Sequence, residues 1–216
     1  MKKFLLIIAS MFIFSLPVIA EECESATQCA FLGKQLLDRK DYQGAIYCFD
    51  KAISFDKDEY FSYAYRAKAY YYLKNYAQFE KDVEKSLSIK PNSAAFGLNA
   101  TLKLSKGDYR AAIENATDAL ALNPQYMKCY EVRARAKVGL EDYFSALKDI
   151  TQAIKLCDYY PKNYEVRAMA YMGLKDYRTA MTDYEKAAEL FKGQGDREDY
   201  KKMKKFAKLC RKRIKE

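Results

Sequence analysis

The sequence contains no histidine and no tryptophan, and only four prolines and eight glycines among 216 residues. Without histidine, the imidazole-based zinc ligand sets and the Cys-His and Ser-His nucleophile pairings are excluded. No Cys-x-x-C pair takes their place. So little proline and glycine rules out a disordered linker and a turn-rich β-sandwich. No carboxylate pair, nucleophile with base or glycine-rich phosphate loop stands outside the pattern described below, so the chain reads as non-enzymatic, with no metal and no cofactor. What is present is abundant apolar and aromatic material: half of the residues are hydrophobic and 15% are aromatic, enough for a sizeable core.

The opening MKKFLLIIASMFIFSLPVIA sets Lys2 and Lys3 before an apolar run that ends at Pro17 and Ala20. That is the anatomy of a secretory signal peptide over residues 1–20, cleaved near Ala20; the alternative is an uncleaved anchor, because Phe4 to Ala20 is at the lower length limit for crossing a bilayer. No later segment is apolar enough to span. The short Lys-Lys leader implies a bacterial chain, periplasmic or secreted. Residues 21–25 form a short N-terminal segment before the first helix.

The formal charge of +9 is unevenly placed. Residues 195–216 hold ten basic and four acidic residues, whereas 21–194 hold 26 basic and 25 acidic. The near-neutral body, together with export, argues against a nucleic-acid partner.

An internal repeat dominates the body. Lys40-Asp41-Tyr42 recurs as Lys74-Asn75-Tyr76, Gly107-Asp108-Tyr109, Glu141-Asp142-Tyr143 and Lys175-Asp176-Tyr177. Nine residues before each tyrosine stands Gly33, Ala67, Ala100, Ala134 or Ala168; three after it stands Ala45, Phe79, Ala112, Ala146 or Ala180. Ala52, Ser86, Ala119, Ala153 and Ala187 follow seven residues further on. Small residues at these places let two antiparallel helices approach closely, with the Asp-Tyr pair at the turn.

These columns resemble the tetratricopeptide repeat (TPR), and segments such as GDYRAAIENATDALALNP (107–124) are similar to ordinary members of that family. The resemblance implies an all-α, right-handed α-solenoid of five TPR helical hairpins, about 26–59, 60–92, 93–126, 127–160 and 161–194. In residues 195–216, Tyr200, Met203, Phe206, Ala207, Cys210 and Ile214 share one helical stripe. We read this segment as a basic capping helix that solvates the end of the array. Its basic face also suits weak contact with anionic membrane or envelope components. The first unit departs from the pattern, with Cys29 where the others place Tyr63, Phe96, Tyr130 and Tyr164.

Arg66, Arg133 and Arg167 recur on the first helices, and Asp82, Asp149 and Asp183 on the second. Facing residues of antiparallel helices have nearly constant number sums, and each Arg-Asp pair fits that relation, so recurrent structural ion pairs are expected. Asn99 and Asn115 replace both partners in the third unit. The same relation sets Cys29 opposite Cys48, which predicts a disulfide between them; Cys129 and Cys157, at the two ends of the fourth unit, are a weaker candidate pair. Asn99-Ala-Thr101 and Asn115-Ala-Thr117 match the glycosylation sequon, but both fall in predicted helices.

The stretch YFSYAYRAKAYYYLKNY at 60–76 holds seven tyrosines. Tyr63, Tyr70 and Tyr76 stand where other units also use bulky packing or turn residues. Phe61, Tyr65, Tyr71 and Tyr72 are in excess of that need and share one helical face. The resemblance implies that first helices line an inner groove that binds a peptide or extended protein segment. The predicted groove residues are Phe31, Lys34, Phe61, Tyr65, Lys68, Tyr71, Tyr72, Lys128, Glu131 and Arg135. The paired asparagines of the chaperone-binding members are missing, so that partner is not carried over. The expected function is a protein-interaction scaffold; the alternative is a structural subunit of a cell-envelope assembly complex.

Overall fold

The computed structural model describes residues 23–216. The expected signal peptide over residues 1–20 lies outside the described residues. Among those described there are eleven α-helices and no strand. The described residues divide into two compact units, one up to Ala94 and the other from Ala95 to Glu216. The first contains α1 (Ala26–Asp38), α2 (Tyr42–Phe55), α3 (Tyr60–Tyr72) and α4 (Tyr76–Ile89). To the second belong nearly all of α5 (Ser93–Ser105), then α6 (Tyr109–Leu122), α7 (Met127–Gly139), α8 (Tyr143–Leu156), α9 (Pro161–Gly173), α10 (Tyr177–Gly193) and α11 (Arg197–Arg213).

Each repeat closes through the same turn. The residue before the N-cap Asp or Asn adopts left-handed φ at Lys40, Lys74, Gly107, Glu141, Lys175 and Gly195. Its N–H, and that of the residue after it, bond back to carbonyls of the preceding helix, as in Lys40 to Leu37 and Asp41 to Leu36. Such a paired closure satisfies carbonyls that the helix end would leave open. The next side chain then starts the following helix: Asp41 accepts from the Gly44 N–H at 3.0 Å, and Asp142 and Asp176 do the same for Ser145 and Thr179. The Asp-Tyr signature is therefore an N-cap followed by the first helical residue.

The small columns sit where the helices touch. Ala45, Ala67, Ala100, Ala112, Ala134, Ala146, Ala168 and Ala180 are all fully buried. The first unit gathers Leu37, Ile46, Phe49 and Ala69 into one cluster, with Tyr42, Tyr65 and Tyr70 against it. Ser86 takes the place of an alanine and is used as a latch: its hydroxyl donates to the Tyr60 carbonyl at 2.7 Å and accepts from the Asn92 amide at 2.9 Å.

In the second unit, Ile150, Val166 and Ala170 pack with Ala134 and Ala146. The α11 helix turns its stripe inward, and Met203, Ala207 and Cys210 join Tyr164, Tyr184 and Phe191. Contacts from Lys202 to Glu165 and from Cys210 to Met172 set α11 alongside α9 in the same direction.

Turn tyrosines lock neighbouring hairpins. Tyr109 lies against Gly139 and Tyr143 against Gly173, where an added Cβ would fall 2.6 and 2.2 Å from the respective rings. The corresponding place in the first unit is Tyr72, which instead stacks on Tyr42 with centroids 4.9 Å apart.

Four of the six left-handed turn positions are held by Lys or Glu, for which that conformation costs energy that glycine avoids. Glu141→Gly and Lys175→Gly are each expected to raise stability by about 0.5–1 kcal/mol, and Gly107→Val to lower it by about 1–2 kcal/mol, read from urea unfolding midpoints.

Candidate interaction surface

The arginine column forms a repeated lock. Arg66 grips Asp82 with two parallel bonds of 2.8 and 2.6 Å, Arg133 grips Asp149 at 2.9 and 2.7 Å, and Arg167 grips Asp183 at 2.8 and 2.7 Å. Fork-to-carboxylate geometry is the strong form of this interaction. Each guanidinium also lies over the aromatic ring one turn before it: Tyr63 at 5.4 Å, Tyr130 at 5.6 Å and Tyr164 at 5.4 Å. The hydrogen bonds that Arg167 donates to Asp183 hold its guanidinium more firmly charged than usual.

Two of these arginines also reach the hairpin before their own. Arg66 bonds Asp50 of α2 at 2.5 Å, and Arg133 bonds Thr117 of α6 at 3.0 Å. In the third unit the Asn99 amide donates to Asn115 at 2.9 Å, and the Asn115 amide to the Ala111 carbonyl. Both sequon nitrogens are thus spent inside the helical packing.

The free arc of the first helices is narrower than the predicted face. On α3 it comprises Phe61, Tyr65 and Lys68, at steps of four and three, and ends at Tyr72, which is exposed but stacks on Tyr42. Phe61 is 43% exposed and Tyr72 50%, and on α1 Phe31 is 63% exposed beside an exposed Lys34. Tyr65 and Lys68 are half-buried, Tyr65 stacking on buried Phe49 and on Phe61. Tyr71 turns away to cover buried Phe79, centroids 5.8 Å apart.

In the second unit Lys128 is half-buried and Arg135 exposed, but Glu131 is completely buried. It lies beneath those two basic groups, bonded by Lys128 and, at 3.4 Å, by Arg135. Glu131 is therefore a structural counter-charge and does not line an open groove. Sequence reasoning had no partner for it, yet lysine three residues before and arginine four residues after were the available signal. One repeat on, Glu165 is likewise held by Lys162 at 3.2 Å and Lys202 at 2.8 Å. Among the described residues, Lys34 and Lys68 take part in no ion pair.

The cysteine expectation is corrected. The disulfide joins Cys29 to Cys23, six residues upstream, with Cα atoms 5.2 Å apart. Cys48 is a buried free thiol, as is Cys129; Cys157 is free and half-buried. Cys48 occupies the column that elsewhere holds Asp82, Asp149 and Asp183, and the matching arginine position is Leu32, so an apolar pair of positions replaces the ion pair in the first hairpin. Cys129 faces Gly97 of α5, whereas Cys157 caps the far end of α8, which leaves those two unlinked. Burial pushes the Cys48 thiol up, and that of Cys129 up to about 12.

Against this geometry, the tetratricopeptide-repeat family profile matches residues 62–93 and 161–193, the second and fifth hairpins. The chain is a tetratricopeptide-repeat protein. It is 29% identical over 98 residues to the TPR repeat-containing protein MJ1428 of Methanocaldococcus jannaschii, covering 45% of this chain and 17% of that one. With the STIP1 homolog of Dictyostelium discoideum it shares 28% over 107 residues, 49% of this chain and 19% of the relative. The TPR chain thus spans less than a fifth of the length of these relatives.

Among solved structures, YrrB, described as a TPR protein with an unusual peptide-binding site, superposes with a TM-score of 0.60 at 18% identity. That superposition covers 87% of this chain and 95% of YrrB. The likeness shows that the two chains share a fold.

Removing Arg167 strands Asp183, which is only 4% exposed, so Arg167→Ala is expected to cost about 2–3 kcal/mol, between the surface and fully buried limits. Arg133→Ala should cost less, because Lys137 remains on Asp149 at 2.8 Å; urea unfolding of both variants ranks them. Alkylation of the native chain under non-reducing conditions should label Cys157 first and Cys48, Cys129 and Cys210 only on unfolding. Peptide mapping of the same sample should recover Cys23 linked to Cys29.

Proposed function

We propose that the chain is a non-enzymatic scaffold that holds an extended segment of a partner protein along the free arc of α1 and α3. One observation carries the reading: Phe31 and Phe61 stay exposed on that arc beside lysines that take part in no ion pair, while Lys128 and Arg135 on α7 and Lys162 on α9 are matched by Glu131 and Glu165. Aromatic side chains offer large contact area at low rotamer cost, and the lysines add charge that can select among segments. The peptide-binding site described for YrrB supports the use of this fold for such a ligand.

Export through residues 1–20 is part of the proposal. An oxidising compartment suits a chain with a Cys23–Cys29 disulfide.

Phe31→Ala and Phe61→Ala touch exposed rings, unlike Tyr65→Ala, which would also uncover Phe49. Against the tightest ligand selected from a displayed peptide library, each is expected to weaken binding by about tenfold, the equivalent of ~1.4 kcal/mol at a contact aromatic. The thermal midpoint should stay near that of the parent. Binding that both substitutions leave unchanged would place the ligand elsewhere and refute this reading.

A further inference from the structure

The outer face of α11 remains after the fold and the proposed peptide site are accounted for. Its inner face is spent on Met203, Ala207 and Cys210 in the core, with Tyr200 and Phe206 packed against the same cluster. Lys202 is spent on Glu165, and Arg211 on Glu185 at 3.1 Å. Opposite the core, Arg197, Lys201, Lys204, Lys205, Lys208 and Lys212 are all exposed. At 3.6 residues per turn they fall within roughly 100° of arc, in a straight row of about 22 Å.

From Tyr200 to Lys215 the sequence has no carboxylate. The two acids of the first turn, Glu198 and Asp199, lie between Arg197 and the five lysines, and Asp199 is already bonded to Lys162 at 2.9 Å. Of the six, Lys212 alone takes part in an ion pair, a loose 3.8 Å contact with Glu216. The array therefore ends in a row of basic groups that its own carboxylates leave largely unbalanced.

We propose that this face docks the protein on a lipid surface of anionic headgroups. Three features favour that partner over a nucleic acid. Five of the six groups are lysines, point charges without the guanidinium fork that reads phosphate or base edges bidentately. The aromatic rings of α11 face the core, so none stands beside the row to stack on bases. The row is straight and lies on a convex helix face, and it matches a plane of charge better than a grooved duplex.

Leu209 is the one large apolar side chain exposed on this helix. A lone apolar group gives little insertion, so the contact is electrostatic and salt-sensitive.

Co-sedimentation of the full chain with phosphatidylcholine vesicles, with and without 30 mol% phosphatidylserine, tests this directly. The neutral vesicles account for whatever the apolar residues 4–20 contribute. At low salt the expected preference for the anionic vesicles is at least a hundredfold, falling away by 0.5 M salt. At roughly fivefold per lysine, Lys201→Ala, Lys205→Ala and Lys208→Ala combined should lower anionic binding about a hundredfold while leaving the neutral control and the unfolding midpoint unchanged. Equal binding to both vesicles, or an unaltered triple variant, would overturn the proposal. So would tighter binding, at the same ionic strength, to a duplex RNA or to a poly-glutamate peptide.

Discussion

Everything in this chain depends on how closely two helices can approach. At the crossing of each hairpin the side chain must be small, because a larger one would hold the backbones apart and misalign every contact further along. Alanine fills that place at positions 45, 67, 100, 112, 134, 146, 168 and 180, each without solvent exposure. Once the crossing is fixed, the arginine fork meets its aspartate, the turn must reverse in a few residues, and a ring from one turn can reach the helix end of the next hairpin. The exception at Phe79 fits the same logic: a large residue stands there, and Tyr71 has turned inward to cover it.

The repeat was legible because its determinants are local and recur. A capping Asp, a following Tyr and a small residue at fixed offsets are set by helix geometry, and so is the pairing of Arg66, Arg133 and Arg167 with residues sixteen positions on. The free arc of each first helix was not legible in the same way, because it depends on which neighbouring hairpin covers it. Comparing columns would have sharpened it. Tyr65, Leu98, Val132 and Val166 share a column of packing positions, the last two buried, and Phe31 in the same column is left 63% exposed at the first hairpin; Lys34, Lys68, Thr101, Arg135 and Met169 vary in character, as free positions do. Tyr72 shares a column with Ser105, Gly139 and Gly173; at the two glycines the space is taken by the rings of Tyr109 and Tyr143.

The cysteines illustrate a different limit. Facing across a hairpin brought Cys29 and Cys48 into register, yet Cys23 at the preceding turn reaches Cys29 through six residues of chain. Register along two helices says which residues are opposite; it does not say which of two neighbours a sulfur bonds. The column occupied by Cys48 was the better guide, since a position that holds aspartate in three other units is filled here by a small buried thiol.

The two termini of the array are finished by unlike chemistries. At the start, a short covalent loop ties buried Cys23 to the first helix; at the end, a helix with an apolar inner face keeps its outside in water by charge alone. Conditions that loosen one closure leave the other intact: a reductant acts on the first turn and is without effect on the last helix, whereas crowding of like charges at low ionic strength strains the last helix and is not felt by the sulfur bridge. The molecule thus has two separate points from which unravelling can begin, each answering to a different property of its surroundings.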